Sequence, residues 1–496
     1  MIGWIGDFFR FWWGLLYWNA RKSLFWLRPD RIRCPCQNSG DSGRALETRC
    51  EAASTWNKPA RFRRLCPLLV ETQVGLRCSV NAAAVRPFWT RAGASFGIAL
   101  LALYLAGTLA LFGALRAVGY PLTYWSVLLP FKWSDIPSAQ EQVYARRAQQ
   151  ALAAGNFQGA LLCLNRVHEL NPRNYSAAIA LASLRHISGE PGLSDQTFEQ
   201  VLLQHPDRRA QTAQLWYKAL LTRRDYSHSK LLAVRMLSED PANRGAWLHA
   251  LFFALRQAPD PAYLATLTGR IPDLPAWCSQ LMAIELAFQQ NRPADAVQLL
   301  LRPPPHPASP YVSIYYVDRL TAQARYTEAQ QVLDAYAGQL EPDEAAFLRL
   351  ALYTRRGWLA LSESEFDHLL QQFPLNTRTA PQFCAFLIRY PNPALLARFH
   401  DRFMQTVRAP GPDFHPTLNA LFCACAVNAD WSRLEAAAAS IKRITMSDAR
   451  TLTALEGFFR RDYHFKRIDL FLISLPLPTD VVYALLERFG TPPPPS

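Results

Sequence analysis

The residues of this 496-residue chain best suited to chemistry are its cysteines. Five of the ten, Cys34, Cys36, Cys50, Cys66 and Cys78, fall within residues 30–91. Thiolates are soft metal ligands, and a structural zinc takes four of them in a tetrahedron. A segment this short cannot bury a large core, so a metal could supply its folding energy. Its turn signals are Cys34-Pro35-Cys36 and Asn38-Ser39-Gly40-Asp41-Ser42-Gly43. The spacing is C-x-C followed by single cysteines, not the paired C-x₂-C of a zinc ribbon, and five thiols leave one over. Three readings stay open: one structural zinc on four of the five, free or buried thiols, and disulfides on an oxidising side of a membrane. The remaining cysteines, Cys163, Cys278, Cys384, Cys423 and Cys425, sit in apolar helical stretches, where Cys acts as a small hydrophobe.

No other constellation carries chemistry. The sequence has no G-x-x-x-x-G-K-[ST], no G-x-G-x-x-G after a strand, no H-E-x-x-H and no G-x-S-x-G. Its ten histidines are scattered beyond residue 118, and Asp462-Tyr463-His464 falls on a turn rather than forming a triad. The expectation is a protein that is not an enzyme.

The elements that place these residues begin with a membrane span. Ala92–Leu115 contains no charge and no proline, between Arg91 and Arg116. As a helix it would run about 36 Å, enough for a bilayer core of about 30 Å. Phe88 and Trp89 precede it, and Tyr120, Tyr124 and Trp125 follow, as in aromatic belts. Residues 1–29 read as an amphipathic helix lying in the interface. Trp4, Phe8, Phe9, Phe11 and Trp12 lie on its apolar side, Asp7, Arg10 and Arg21 on a narrow polar face, and Pro29 ends it. A second full span would strand Asp7 and Arg10 in lipid.

The net charge is +14, of which residues 1–91 carry +9 from 15 basic and 6 acidic residues. A basic part beside a span fits anionic lipid on a cytoplasmic face, and no nucleic-acid motif accompanies it. The charge bias and the absence of a signal-peptide pattern put the N-terminus in the cytoplasm, and the Ala-, Leu- and Arg-rich composition suggests a bacterium, so the expectation is a bacterial inner-membrane protein with its C-terminal part periplasmic. Residues 119–138, broken by Pro121, Pro130 and Pro137, read as a juxtamembrane linker. Ser138 is expected to cap the next helix, with Glu141 completing a capping box.

From residue 139 the chain repeats. An aromatic residue or proline marks a polar turn before a new apolar helix at Phe157, Pro191, Tyr226, Pro261, Pro293, Tyr326, Trp358, Pro393, Trp431 and Tyr463. The spacings run from 32 to 38 and average 34. Ala148 to Ala182, Gly155 to Gly189 and Pro172 to Pro206 are each 34 apart, and Pro241 follows. Small residues recur at Ala160, Ser194 and Ser229. A period of 34 with two helices per unit resembles the tetratricopeptide repeat (TPR) superfamily over residues 139–488.

That resemblance implies an all-α fold: an α-solenoid of about ten TPR-like helical hairpins, each pair burying its apolar face on the next. It also implies partner proteins bound in the groove lined by the first helix of each pair. The polar residues it places there are Gln142, Gln149, Ser176, Ser183, His186, Gln211, Gln214 and Lys218. They do not match the Lys/Asn/Arg clamp with which some members hold C-terminal carboxylates.

The expected organisation is an interfacial helix (1–29), a basic Cys-rich segment (30–91), a transmembrane helix (92–118), a juxtamembrane linker (119–138), the repeats (139–488) and a Pro-rich tail (489–496). The expected function is a membrane-anchored scaffold that binds partner proteins and lipid, but not nucleic acid. Assembly of an envelope, secretion or polysaccharide-export complex is a setting such repeats serve. The alternative is a metal- or thiol-sensing membrane regulator whose N-terminal cysteines receive the signal.

Overall fold

The computed structural model describes residues 97–490, except 268, 270, 272–273, 303–308, 409, 446–449 and 461–466, together with the backbone of 82–96. Before these it describes three strands and the helical residues Trp12, Trp13, Leu16 and Ala20. The chain forms two units, residues 1–139 and 140–496.

In the first unit β1 (Glu47–Arg49), β2 (Leu69–Thr72) and β3 (Gly75–Ser79) form an antiparallel sheet in the order β1-β3-β2. These strands are not among the expected elements, although the alternation Leu76-Arg77-Cys78 carries the period-two signal of a strand. Cys78 lies in the middle strand, paired with Thr48 and Leu69. Cys34, Cys36, Cys50 and Cys66 lie outside the described residues, as does all but four residues of the proposed interfacial helix.

Helix α1 runs from Ala82 to Ala117, starting earlier than the apolar stretch itself. Its Gly97–Ala117 part is long and apolar enough to cross a membrane, and almost none of it is buried. Arg116 complements the C-terminal dipole. The helix ends at Gly119, whose φ of +97° suits glycine, with the Tyr120 N–H reaching back to the Leu115 carbonyl. The following α2 (Tyr124–Leu128) does not lead away but returns along α1. Tyr104 donates to the Leu128 carbonyl, and Thr108 meets the Tyr124 hydroxyl at 3.1 Å.

Helix α3 (Asp135–Ala153) begins before the expected cap. Ser138 is therefore inside it, bonded to the Ser134 carbonyl, and no capping box forms. Glu141 instead accepts from the side-chain amides of Asn171 and Asn174 at 2.9 and 2.6 Å.

Among the described residues the second unit is all-α. Nine helix pairs follow one another: α3 with α4 (Phe157–Leu170), α5 (Tyr175–Ile187) with α6 (Pro191–Gln204), α7 (Arg209–Thr222) with α8 (Tyr226–Glu239), α9 (Arg244–Gln257) with α10 (Pro261–Leu267), and α11 (Ala276–Gln289) with α12 (Pro293–Leu300). Then come α13 (Pro310–Ala322) with α14 (Tyr326–Tyr336), α15 (Pro342–Arg356) with α16 (Leu359–Gln372), α17 (Thr379–Arg389) with α18 (Pro393–Thr406), and α19 (His415–Val427) with α20 (Trp431–Thr445). Each of the first nine turn marks sits at the start of a second helix, with Trp358 as the N-cap of α16. The tenth, Tyr463, lies outside the described residues.

One turn recurs within the pairs. Gly155, Gly189, Arg224, Asn291, Ala324, Gly357 and Ala429 are all left-handed, each one or two residues before the second helix's mark. In each case the next N–H bonds to the carbonyl five residues back, as Asn156 does to Ala151 and Trp358 to Tyr353. This is the Schellman arrangement, which satisfies the orphan carbonyls of the first helix while reversing the chain. Small residues then let the paired helices close up: Ser194 Oγ donates to the Ala182 carbonyl at 2.8 Å, and Ala148 and Ala160 are both buried.

The expected tenth pair is replaced by three helices, α21 (Arg450–Arg460), α22 (Asp469–Leu472) and α23 (Thr479–Phe489). Helix α23 does not stack as an outer helix at the end of the array. It returns along the inside and packs on α17, reaching α7 as well.

Candidate functional site

Helix α23 decides what the groove can do. Val481, Val482, Tyr483, Ala484, Leu485 and Leu486 are all buried in succession. A stretch apolar on every side must be enclosed on every side, although Asp480, Glu487 and Arg488 at the two ends of α23 stay exposed. Tyr483 stacks on His249 of α9 with ring centres 4.8 Å apart and lies 4.5 Å from the Phe253 ring. Its hydroxyl donates to that of Tyr217 at 3.0 Å, a contact across 266 residues. Glu487 accepts from Arg389 Nε at 2.7 Å, and Asn419 holds the approach by donating to the Pro476 carbonyl. Burying a large apolar side chain contributes about 1.5–3 kcal/mol. Releasing α23 would thus cost on the order of 10 kcal/mol, comparable with the stability of a whole domain. It is a fixed wall of the groove, not a lid.

Beside this wall the first helices α9, α13, α15 and α17 leave a half-open cavity of about 530 Å³, a size suited to a small molecule. Its floor is an ion cluster. Glu285 of α11 is 1% exposed and accepts both Arg256 nitrogens at 3.1 Å, Arg319 Nη2 at 2.5 Å and the Tyr315 hydroxyl at 2.8 Å. Burial alone would raise the Glu285 carboxyl, but Arg256 and Arg319 outweigh it and hold it below the ordinary carboxylate range. Asp318 stands 3.9 Å from both Arg256 and Arg355. Burial, reinforced by the Glu285 charge, pushes Tyr315 far up, so its phenol stays protonated and donates. His249, between the rings of Tyr311 and Tyr483, is driven down to about 4, first by burial and then by Arg256. It is neutral at physiological pH and offers no charge to a ligand.

The polar residues assigned to the groove from sequence lie elsewhere on the first helices. Gln142, Gln149, Ser176, Gln211 and Gln214 are exposed, while Ser183 and Lys218 are half-buried. His186 is buried with Nε2 3.1 Å from Thr222 Oγ1, joining α5 to α7, and burial takes its pKa down to about 4. None of the eight lines the cavity. Among the described residues no group of three or more His, Cys, Asp or Glu could hold a metal.

Sequence reasoning missed the cavity residues Arg256, Asp318, Arg319 and Arg355 and the buried Glu285 that holds two of them. One signal was available: Glu285 is a lone charge inside MAIELAF, and a charge at an apolar position must be paired.

No family model and no curated protein matches the chain. Solved structures similar to it include one of PilF from Pseudomonas aeruginosa, 18% identical, covering 49% of this chain and 96% of that one, TM-score 0.27. The TPR domain of P58(IPK) is 12% identical, with coverages of 66% and 99% and a TM-score of 0.18. The Cut9–Hcn1 hetero-tetramer of APC/C is 13% identical, with coverages of 77% and 81% and a TM-score of 0.29. The repeat unit's own geometry, a 34-residue period of helix pairs joined by one left-handed turn and closed on small residues, is that of a TPR-like helical-repeat domain.

Proposed function

We propose that the chain is a membrane-anchored scaffold whose helical repeats bind partner proteins at the membrane surface. The observation that carries this reading is the contrast between two apolar helices. Gly97–Ala117 exposes nearly all of its apolar surface, whereas α23 buries its own. An apolar helix left bare over this length needs lipid to cover it. Helix α23 covers part of the inner surface of α7, α9 and α17, so the first helices clear of it are α3 and α5, where Gln142, Gln149 and Ser176 are exposed, with Gln211 and Gln214 exposed on α7 at its margin. Ser183, His186 and Lys218 would support that face from below. A bacterial inner membrane with periplasmic repeats, and service in an envelope, secretion or export assembly, complete the reading. A structural zinc on four of Cys34, Cys36, Cys50, Cys66 and Cys78 would fold the segment before the span.

Two measurements test it. The full chain should stay with membranes through alkaline carbonate, and a chain with Leu103, Leu105 and Leu109 all changed to Asp should not. Photo-cross-linkers at Gln149 and Gln211 in native membranes should trap the same discrete protein, while one at Glu363 on an outer helix should not. Carbonate release of the unaltered chain, or identical trapping at all three positions, would defeat the proposal.

A further inference from the structure

The cavity has two unlike ends. On α15, Glu344, Leu348, Ala351 and Arg355 all line it. Their spacing of four, three and four puts them in one stripe along the helix. Eleven residues advance about 16 Å, so an acid and a guanidinium face the cavity that far apart with an apolar strip between. The neighbouring α17 repeats the order with Gln382, Phe386 and the flanking Tyr390. Two contacts fix the register of the helices. Phe347 and Phe383 have ring centres 4.9 Å apart, and the Arg355 guanidinium lies 5.9 Å from the Tyr390 ring. One end therefore presents Glu344 and Gln382, and the other the guanidinium groups of Arg256, Arg319 and Arg355 with Asp318 among them.

Both ends are incompletely satisfied. Gln382 Oε1 is buried with no donor. The Glu344 carboxylate accepts the Glu341 backbone N–H, the usual reach-back at a helix start, but the nearby Arg378 pairs with Asp343 instead, at 3.5 Å. At the other end Arg256, Arg319 and Arg355 share only two carboxylates, Glu285 and Asp318. The outermost link, Arg355 to Asp318, is 3.9 Å long, and Arg319 Nε is buried with no acceptor. The wall from α23 does not cancel this polarity: Glu487 is already paired with Arg389, and Asp480 is exposed.

We infer that the cavity binds a small zwitterion whose ammonium and carboxylate are held about 10 Å apart by an apolar body, the separation of the termini in an extended tripeptide. The ammonium sits between Glu344 and Gln382. The carboxylate takes the charge-assisted hydrogen bonds that Arg355 and Arg319 have to spare. The body lies on Leu348, Ala351 and Phe386. This ligand site is independent of the scaffold reading, since it uses no residue of the proposed partner face.

The test is calorimetry on the full chain in detergent with Ala-Leu-Ala, its N-acetyl form and its C-terminal amide. The free peptide should bind, and blocking either end should weaken binding about tenfold or more, the worth of a charged hydrogen bond. Glu344→Gln should erase the difference between free and acetylated peptide while keeping that between acid and amide. Arg355→Gln should do the reverse. No binding at millimolar peptide, or equal affinity for all three forms, overturns the inference. The three-peptide series on the unaltered chain decides it even if a variant fails to fold.

Discussion

The first three helices of the array, α3 to α5, and those after them are built from one repeat but held by different means. Ala148, Ala160, Leu164, Val167, Ala177, Leu181 and Leu184 form a small core of their own, made only of neighbours in sequence. From Ala182 to Leu486 a single continuous core runs through α6 and the pairs after it and includes α23. Nearest-neighbour stacking alone gives an array whose stability is a local sum. A helix that returns along the inside couples the third, fourth and eighth pairs directly and makes that stretch one cooperative body.

The sharpest way to break this contrast is to put one charge in each region. Leu485→Asp places a carboxylate at a fully buried site of α23, and more than about 4 kcal/mol should be lost. Amide exchange followed along the chain should show α7, α9 and α17 losing protection together. Leu161→Asp, at a half-buried site of α4, should cost about 2 kcal/mol and loosen only α3 to α5. If the damage from Leu485→Asp stayed within α21–α23, the closed body would be an ordinary open solenoid.

The repeat was legible because its signals are local. A turn residue, a small residue and an apolar stripe act within one pair, so a period of 34 survived even where Arg224 and Asn291 replaced glycine at the turn. The path of α23 was not legible from periodicity, since the contact of Tyr483 with Tyr217 joins residues in different repeats. Its one local trace is the unbroken apolar run Val481–Leu486, which fits an enclosed helix and not an outer one. The cavity was hidden for the same reason. Arg256, Glu285, Asp318 and Arg355 come from four successive first helices, and only stacking brings them together. Cys34, Cys36, Cys50 and Cys66 lie outside the described residues, and Cys78 is placed in the middle strand β3.

Acid should separate the regions by a smaller amount. His249 within the closed body and His186 between α5 and α7 are both lowered from 6.5 to about 4, chiefly by burial. Between those values the unfolded chain binds protons that the folded chain does not, so stability falls as pH falls. By pH 5 the loss is about 2 kcal/mol for each histidine, before most carboxylates titrate. Denaturant melts at pH 7 and pH 5 should show it. His249→Phe, which keeps a ring between Tyr311 and Tyr483, should remove its share of the difference from the main transition. An unchanged difference between the two pH values in that variant would mean that His249 accepts a proton in place and does not couple acid to the closed body.

The smallest effect lies in the turns. The first two pairs use Gly155 and Gly189 at the left-handed position, where glycine carries no steric penalty. In the closed body Ala324 holds the same place at φ 57°. There its Cβ crowds the backbone at a cost of about 1–2 kcal/mol. Glycine would relieve that strain and give back roughly 0.5–1 kcal/mol through the freer unfolded chain. Ala324→Gly should therefore stabilise the closed body by about 0.5–1 kcal/mol, and Gly189→Ala should destabilise the second pair by a similar amount or more. Both changes leave the Schellman hydrogen bonds in place, from Arg325 to Leu320 and from Glu190 to Arg185, so the difference reports the turn alone. Equal destabilisation by both substitutions would show that unfolded-chain entropy outweighs turn strain at Ala324. The later pairs would then hold their non-glycine turns without strain, and the two regions would differ only in the helix that closes one of them.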